Sequence, residues 1–526
     1  MPVDCWVYDA MDRLYALGYV DTAYLGLRPW TRMSIAHMLE RSTPSITAAM
    51  NDQQAQEIYL ALMREFQPDV ERALGVPRFH VQPQSVYTML RGISGTPLRD
   101  SYHLGQSIVN DYGRPYEGGF NNYTGFSGFA EAGRFSLYFR GEYQHAPSAT
   151  GYSPALATYL SNYIDQVPFA QNPHQDTIPE GPIPQANDMR VLEANFSYLL
   201  LGHEISFGKD DHWLAPDRGA SMLWSNNAED IYDFEINRVE PLRIPGLSWI
   251  TGPFRYDFFV GSLKGHTYPN DPWVHVEKIS FKPTRNLEFG FSRMVVWGGK
   301  GHEPITLHTF LHSFFSVSNV SGAEKYSPDD PGYRLANFDF SYRLPYLRKW
   351  VMLYTDSLSH DDPSPISAPR RAGVHPGLYL ARFPHFENLS MRVEGANTDT
   401  PSSSVQSGQF LYWEQVQRQG PTNKGFLVGD WTGRQGKGGQ AWLTYHLSPD
   451  QDVALEYRNA KAASAFIPGG TTQNDFALQV RKRIIKNIEI LGRVQYDGWK
   501  APIYLPGPQS DTTASVRITW YPSETN

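Results

Sequence analysis

The densest group of side chains that could bind a ligand lies between Gly202 and Ala228. Six of its residues could hold a sugar: Lys209, Asp211, His212, Trp213, Arg218 and Asn227. An indole ring can stack on the apolar face of a sugar, while carboxylate, guanidinium and amide groups can bind its hydroxyls. The stretch therefore predicts a carbohydrate-binding loop. The alternative, a structural loop that folds into the protein and fills it by hydrogen bonding, is the slightly stronger interpretation.

The motifs of hydrolytic enzymes are incomplete in this sequence. His203-Glu204 and His302-Glu303 begin like a zinc-hydrolase motif, but neither has a second histidine four residues after the first. There is no Gly-x-Ser-x-Gly nucleophile motif and no glycine-rich phosphate-binding loop. Paired acids occur in loops, without the spacing of a calcium-binding loop. The sequence thus predicts no catalytic residue, no metal site and no cofactor, and it favours a non-enzymatic role.

Composition excludes several other classes of protein. The chain of 526 residues has a net charge of −8 and no long basic run, so nucleic acid is not an expected partner. Its 31 Tyr, 28 Phe and 13 Trp suit membrane interfaces and sugar surfaces, because Tyr and Trp combine an apolar body with a polar edge. A single cysteine, Cys5, excludes an intrachain disulfide and a cysteine-based zinc site.

The first part of the chain has the periodicity of helices. The first helix is expected to stop at Gly18, and Thr31 can cap a second helix. A third helical region runs from Asp52 to Leu74, and Pro68 is expected to break or kink it. These patterns predict a small helical domain over residues 1–77, on the periplasmic side if the rest of the chain spans an outer membrane.

Part of this region, WVYDAMDRLYALGYV…RPWTRMSIAHML, resembles one S-layer-homology unit. The resemblance implies that Thr31 and Arg32 belong to a motif that binds cell-wall polymer, which makes peptidoglycan a candidate partner. Binding modules of that kind commonly use three units, and only one is present. A helical plug or brace is the stronger interpretation.

Beyond residue 80 the apolar residues alternate with polar ones. In Gly133–Gln144, Phe135 and Leu137 share one parity, while Arg140 and Glu142 share the other. Side chains alternate between the two faces of a strand, so this stretch predicts a strand with one apolar and one charged face. The pattern recurs in eight further runs: Val191–Leu200, Phe254–Val260, Leu335–Leu344, Gln440–Leu447, Val453–Arg458, Phe476–Arg481, Ile488–Tyr496 and Ala514–Trp520. The recurrence predicts an all-β transmembrane antiparallel β-barrel over residues 78–526, with 16–20 strands and a best value of 18.

The polar parity carries charges of both signs. Ten of these residues are expected to line the lumen: Arg140, Glu142, Glu193, Arg255, Asp257, Asp339, Arg343, Arg458, Arg493 and Arg517. Unpaired charges in a confined interior are costly, so neighbouring strands should pair them. We therefore expect a lumen partly filled by ion pairs, not a wide channel. The alternative is that these residues form the solvated faces of ordinary sheets.

The connections between the strands are uneven in length. Ser448–Gln451 is a short turn, whereas five connections are long and rich in Gly, Pro, Ser and Asn: Ala146–Asp188, Lys300–Gly332, Ser359–Gly377, Asn397–Ser407 and Tyr504–Thr512. Short turns on one rim and long loops on the other are typical of outer-membrane barrels. The chain starts without a basic and apolar leader, so this location implies that a signal peptide has been removed.

Three stretches together resemble the Wzi family of outer-membrane capsule assembly proteins. They read WVYDAMDRLYALGY…RPWTR, FRGEYQHAP and GKDDHW…SNNAEDIYDFEINR. The last contains the residues that match a motif of the family: Gly208, Lys209, Trp213, Pro216 and Ser225–Ala228. Leu214-Ala215 stands where the family usually has glycine. The resemblance implies a large antiparallel barrel with a small periplasmic helical bundle and a lectin-like role, the binding of exported capsular polysaccharide.

These features lead to one expected function and two alternatives. The expected function is an outer-membrane protein that binds capsular or exopolysaccharide and helps attach or assemble it at the cell surface. Outer-membrane lipid is the second expected partner. One alternative is an outer-membrane porin with a cell-wall-binding helical unit. The other is a secreted β-rich enzyme that acts on glycans.

Overall fold

Eighteen antiparallel strands close into one barrel. Each barrel strand pairs with the next one along the chain, and the first pairs with the last, with Val86 opposite Trp520. No strand in this ring has a free edge, so the backbone groups of each strand have partners on both sides, as a lipid environment requires. The predicted all-β barrel and its best value of 18 strands are therefore confirmed. The computed structural model describes five segments of the chain: residues 1–74, 79–317, 320–347, 350–362 and 364–522.

The barrel strands are numbered β1 to β18 in chain order. Their bounds are His80–Gly95, Gly119–Ala132, Phe135–Ala146, Ala186–Leu200, His203–Lys209, Tyr232–Asn237, Phe254–Ser262, Trp273–Thr284, Leu287–Trp297, Tyr333–Arg343, Val351–His360, Gly373–Leu380, Leu389–Asn397, Gly436–Ser448, Gln451–Ala462, Thr471–Ile485, Ile488–Ala501 and Leu505–Trp520. Two short hairpins lie outside the barrel sheet: Arg99–Asp100 with Gly105–Gln106, and Thr422–Asn423 with Phe426–Leu427.

The alternation of side chains separates the outside of the barrel from its lumen. In β3, Phe135 and Leu137 are exposed on the outside, whereas Arg140 and Glu142 are buried inside. The same division holds along β16, where Phe476 and Leu478 are exposed. The outer surface is thus apolar, and the charged parity faces inward.

One long connection predicted from the sequence is wrong. Tyr504–Thr512 was expected to be a loop, but β18 already begins at Leu505. Its ladder with β17 places Gln509 opposite Trp499 and Asp511 opposite Asp497. The prolines and glycine of this stretch remove the alternation that marks a strand, although the pairing continues through it. The connection that begins after Asn397 is also longer than expected, because the next barrel strand starts only at Gly436.

Eight α-helices lie among the described residues. Their bounds, from α1 to α8, are Trp6–Ala16, Arg32–Ala48, Gln53–Leu74, Pro154–Tyr159, Ser248–Thr251, Leu307–Phe315, Gly322–Lys325 and Pro401–Val405, with a π-helical turn Leu160–Asp165 directly after α4. Thr31 caps α2 as predicted, since its Oγ1 accepts a hydrogen bond from the Ser34 amide at 3.0 Å. Pro68 lies inside α3 and does not end it. No helix in the described segments has the length and apolar character needed to cross a membrane.

Residues 1–31, which contain α1 and are called the α1 segment, lie within the barrel at the rim of short turns. Asp4 pairs with Arg140 of β3 at 3.0 Å, and Asp21 pairs with Arg343 of β10 at 2.6 Å. The apolar residues of α1 belong to the same buried cluster as Met352 of β11. The helical region is therefore joined closely to the barrel wall and fills its mouth. Its predicted boundary between residues 77 and 78 lies outside the described residues.

These contacts alter the pairing expected for the lumen charges. Arg140 and Arg343 pair with residues of the α1 segment, and Arg517 lies 3.5 Å from Asp4 of the same segment, because the lumen is too wide for strand side chains alone. Six other predicted residues have partners on strands or loops: Glu142 with Arg114, Glu193 with Arg140, Asp339 with Lys278, Arg458 with Asp475, Arg493 with Glu456, and Arg255 with Asn237. The tenth residue, Asp257, belongs to an acidic group described below.

Asp12 on α1 provides a test of the pairing between the α1 segment and the charges of the lumen. Its carboxylate lies 3.0 Å from Arg28 and 3.3 Å from Arg392, and all three side chains are buried. Asp12→Asn leaves two buried guanidinium groups without a counter-charge, so we expect a loss of about 3–5 kcal/mol in the free energy of unfolding. Urea titration of the detergent-solubilised protein measures this loss.

The matched control is Asp9→Asn, one turn earlier on the same helix. Asp9 pairs with Arg218 at 2.8 Å and lies 3.5 Å from Arg481, but the side chains of Asp9 and Arg218 are about a third exposed. An exposed pair contributes little, so we expect a change below about 1 kcal/mol. Equal effects of the two substitutions would contradict the buried pairing of Asp12.

Candidate functional site

The loop of residues 210–231 turns into the lumen between β5 and β6. Five of the six residues predicted to bind sugar are at most 5% exposed: Lys209, Asp211, His212, Trp213 and Asn227. The sixth, Arg218, is half-buried and pairs with Asp9 of α1. The structure places Lys209 at the end of β5 and the other five residues in the loop that follows, and most of the six face protein and not solvent.

The hydrogen bonds of these residues explain how the loop is held. The Asp211 carboxylate accepts hydrogen bonds from the Val3 amide and from the Tyr112 hydroxyl, each at 2.9 Å. The Trp213 indole donates to the Asp217 carbonyl at 3.0 Å. Lys209 at the end of β5 forms an ion pair with Glu229. The loop is thereby joined to the α1 segment, to itself and to the barrel wall.

Asn227 connects the same loop to two others. Its amide donates to Gln106 at 3.0 Å and to the Leu427 carbonyl at 2.9 Å. This pattern of internal partners favours the structural alternative for the loop, because a polysaccharide outside the protein cannot reach these atoms. Sugar binding by the six residues remains a prediction.

An apolar core fills the part of the lumen nearest the long loops. Trp224, Tyr412 and Leu427 come from two connections, and they pack on inward-facing residues of the wall such as Val276 and Met294. Tyr102, from the connection between β1 and β2, joins the same cluster. Three long connections thus meet inside the barrel and are fixed there by burial.

A buried ionic group joins these loops above the core. The two imidazole nitrogens of His103 lie 3.0 Å from carboxylate oxygens of Asp100 and Asp165. Arg434 completes the group at 2.6 Å from Asp165, and its guanidinium stacks 4.6 Å from the ring of Tyr102. No motif in the sequence predicts this group. Only the Asp100–His103 spacing is local, and the other partners come from distant loops.

The electrostatics of His103 follow from this geometry. Burial alone would lower the pKa of His103, but Asp100 and Asp165 raise it to about 9. The imidazole is therefore charged at neutral pH and compensates two buried carboxylates. The loops that carry Asp100, Asp165 and Arg434 depend on that charge for their attachment.

The exposed surface of the long loops carries a pair of stacked aromatic rings. Tyr159 and Tyr163 lie with ring centroids 5.3 Å apart, and Tyr163 is 69% exposed. They stand on α4 and the π-helical turn that follows it. Gln409, from the connection between β13 and β14, donates to the Ile164 carbonyl at 3.1 Å and supports this turn. Aromatic rings with an exposed face can stack on sugars.

Comparison with known proteins identifies the family. A family model described as capsule assembly protein Wzi matches residues 90–514. The chain belongs to the Wzi family. The resemblance predicted from the sequence is thus confirmed over most of the chain.

Two individual proteins show similarity at different levels. The Wzi protein of Escherichia coli, described as an outer membrane protein involved in group 1 capsule assembly and a carbohydrate-binding β-barrel, is 17% identical, with a TM-score of 0.67 and 98% of each chain covered. At that identity the likeness shows the fold. An uncharacterised 55.8-kDa protein of the Klebsiella pneumoniae cps region is 25% identical over 162 residues, which are 30% of this chain and 31% of that protein. The predicted outer-membrane location agrees with this family and fold.

The pH dependence of the loops follows from His103. Its pKa is higher in the folded protein, at about 9, than its ordinary value of 6.5. The stabilisation is therefore complete below pH 6.5 and is lost as the pH rises through 9, by up to roughly 3 kcal/mol. We expect the rate of proteolysis within the loops to rise over this interval, as measured by limited digestion at matched protease activity.

The substitution His103→Gln removes the titrating group. We expect proteolysis within the loops of this variant to be faster than in the wild type at neutral pH. We also expect its rate to change little between pH 6.5 and 9. His385→Gln is the control, since His385 is exposed in a turn between strands and should leave the pH dependence intact. A wild-type profile that stays flat across this interval would refute the role given to His103.

Proposed function

We propose that this protein is a lectin-like outer-membrane barrel that binds exported capsular polysaccharide and helps to attach or assemble it at the cell surface. The observation that carries the proposal is the match of the capsule assembly family over residues 90–514. The E. coli relative with the same barrel is described as carbohydrate-binding, which supports the choice of ligand class. The protein acts by binding and not by catalysis.

The filled lumen supports binding on the outside over passage through the barrel. The α1 segment occupies one mouth, and the loops around Trp224 and Tyr412 form a core in the other half. A polysaccharide is too wide to pass between these packed residues. The external loops are therefore the surface that meets the glycan, and the porin alternative has no support from the packing.

The exposed Tyr159–Tyr163 pair is the contact surface that we propose for the sugar rings. Tyr163 offers the larger exposed area. Gln166 extends from the same turn and donates to Gln409 at 2.7 Å, which places two amide side chains beside the rings. A ring face next to hydrogen-bonding amides is the combination that protein sites use for sugars.

The helical region at the other end serves as a plug in this proposal. Thr31 is used as the cap of α2, and Arg32 pairs with Asp69 at 2.9 Å and with Glu65 at 3.1 Å. The guanidinium also lies 4.8 Å from the Phe66 ring. These internal contacts support the plug over binding of cell-wall polymer.

Replacement of Tyr163 tests the contact surface. We expect Tyr163→Ala to weaken the binding of purified capsular polysaccharide about ten-fold, equivalent to about 1.4 kcal/mol, because one stacking face is lost. Surface plasmon resonance with detergent-solubilised protein measures the affinity. Tyr326→Ala is the matched control, since Tyr326 is 60% exposed on a different loop. If both variants bind like the wild type, the glycan contacts another surface.

Conductance separates the proposal from the porin alternative. A barrel whose lumen is packed with protein should give no steady current in a planar lipid bilayer. The recording uses the full chain reconstituted at a concentration that gives clear steps with a known porin. Sustained ohmic steps in every insertion would contradict the proposal. Release of reducing ends from the polysaccharide would instead support the glycan-active enzyme.

A further inference from the structure

His212, Glu235 and Asp257 meet inside the barrel. His212 comes from the loop of residues 210–231, while Glu235 and Asp257 face inward from the adjacent strands β6 and β7. All three residues are at most 3% exposed. One imidazole nitrogen and one oxygen of each carboxylate lie within 4.8 Å of one another. Three potential metal ligands are thus brought together from three separate elements.

Within the described chain, His212 uses one ring nitrogen for a hydrogen bond and leaves the other without a partner. Its Nε2 lies 2.8 Å from an oxygen of Asp233. The ring lies flat on Phe259, with centroids 3.9 Å apart, and edge-on to Trp224. Among the described residues, Nδ1 has no hydrogen-bond partner. A histidine bonded to a carboxylate through one nitrogen and free at the other is the usual arrangement of a metal ligand.

Asp257 has the complementary feature. Its carboxylate oxygens have no hydrogen-bond partner of standard geometry in the described part of the chain, although the residue is buried and the Phe258 amide and the Glu235 carboxyl approach it. The nearby Arg255 makes no hydrogen bond to it, because that guanidinium donates to Asn237 and to the Arg238 carbonyl, although its positive charge still acts on Asp257. Two buried carboxylates beside one imidazole require a proton or a cation.

We propose that His212, Glu235 and Asp257 bind one divalent transition-metal ion, and that Zn²⁺ is the best match. One imidazole nitrogen and two carboxylate oxygens belong to the ligand types that zinc accepts, and Asp233 fixes the histidine from behind. The ion ties the loop of residues 210–231 to β6 and β7. It is a structural element of the barrel, independent of the proposed glycan binding.

An acidic cavity gives the ion a path to the site. A space of about 290 Å³ is lined by Glu193, Glu204, Asp210 and Glu235, among other residues. Carboxylates along such a space raise the local concentration of cations. A water molecule from this cavity can complete the coordination shell.

A second group, Asp217, His375 and Glu394, has a similar composition but a different geometry. Both nitrogens of His375 have partners there: Asp430 at 2.5 Å and Glu394 at 3.3 Å. A histidine whose two nitrogens are hydrogen-bonded offers no lone pair to a metal. The inference is therefore restricted to the His212 group.

Metal content and affinity of the full chain test the inference. The detergent-solubilised protein is dialysed against a chelator, equilibrated with Zn²⁺ and analysed by inductively coupled plasma mass spectrometry and by competition with a chromophoric chelator. We expect the wild type to bind one Zn²⁺ and Asp257→Asn to bind none. Asp233 orients His212 without touching the metal, so we expect Asp233→Asn to bind Zn²⁺ with a 10- to 100-fold weaker affinity. Migration of the unheated sample on a denaturing gel confirms that each variant is a closed barrel.

Asp217→Asn is the matched control, because Asp217 is equally buried and its carboxylate oxygens also lack hydrogen bonds among the described residues, with His375 4.0 Å away. We expect this variant to keep its zinc. The inference is overturned if the wild type takes up no zinc, or if Asp217→Asn loses the ion while Asp257→Asn retains it. It is also overturned if Asp257→Asn raises the free energy of unfolding by the same amount with and without zinc. That result would mean that the carboxyls of Asp257 and Glu235 share a proton in the wild type and bind no ion.

Discussion

The width of the barrel is the constraint on which the rest of the structure depends. Eighteen strands enclose a lumen that their own inward side chains cannot fill, and charges that face into it are removed from most water. The chain fills this space from both ends, with the α1 segment at one mouth and three long connections at the other. Arg343 shows the result, because its counter-charge, Asp21, comes from the α1 segment and not from a neighbouring strand. The interior is a protein core.

This filling determines what the external loops can be. The connection between β13 and β14 buries Tyr412 and Leu427 in the lumen, and the same connection presents Gln409 at the surface. The buried residues of this connection therefore fix the position of its exposed residues. The turn that carries Tyr163 is likewise held through Asp165, which lies in the ionic group of His103 and Arg434. A binding surface built in this way is ordered before the ligand arrives, which lowers the entropic cost of binding.

The sequence predicted the barrel better than it predicted the interior. Period-two alternation is a local signal, so runs such as Leu335–Leu344 predicted the strands and their apolar faces. Thr31 likewise predicted the cap of α2, because capping depends on a residue at the helix start. The start of β18 was missed because proline and glycine interrupt the alternation there. The pairing of Asp21 with Arg343 joins residues 322 positions apart, and no pattern in either neighbourhood indicates it.

The six residues predicted to bind sugar show that the partner of a side chain, too, cannot be predicted from local sequence. Trp213 and Asn227 offer groups that bind a sugar, yet the same groups bind a backbone carbonyl equally well, and here they do. The type of a residue determines which groups its side chain can bind. Which of those groups it does bind depends on its surroundings in the fold. That is also why an exception among the lumen charges carries information. Arg140, Asp339 and Arg458 each find a counter-charge, whereas in the described part of the chain the Asp257 carboxylate and one nitrogen of His212 have no hydrogen-bond partner of standard geometry. That difference is why we propose a metal ion there and nowhere else among the lumen charges.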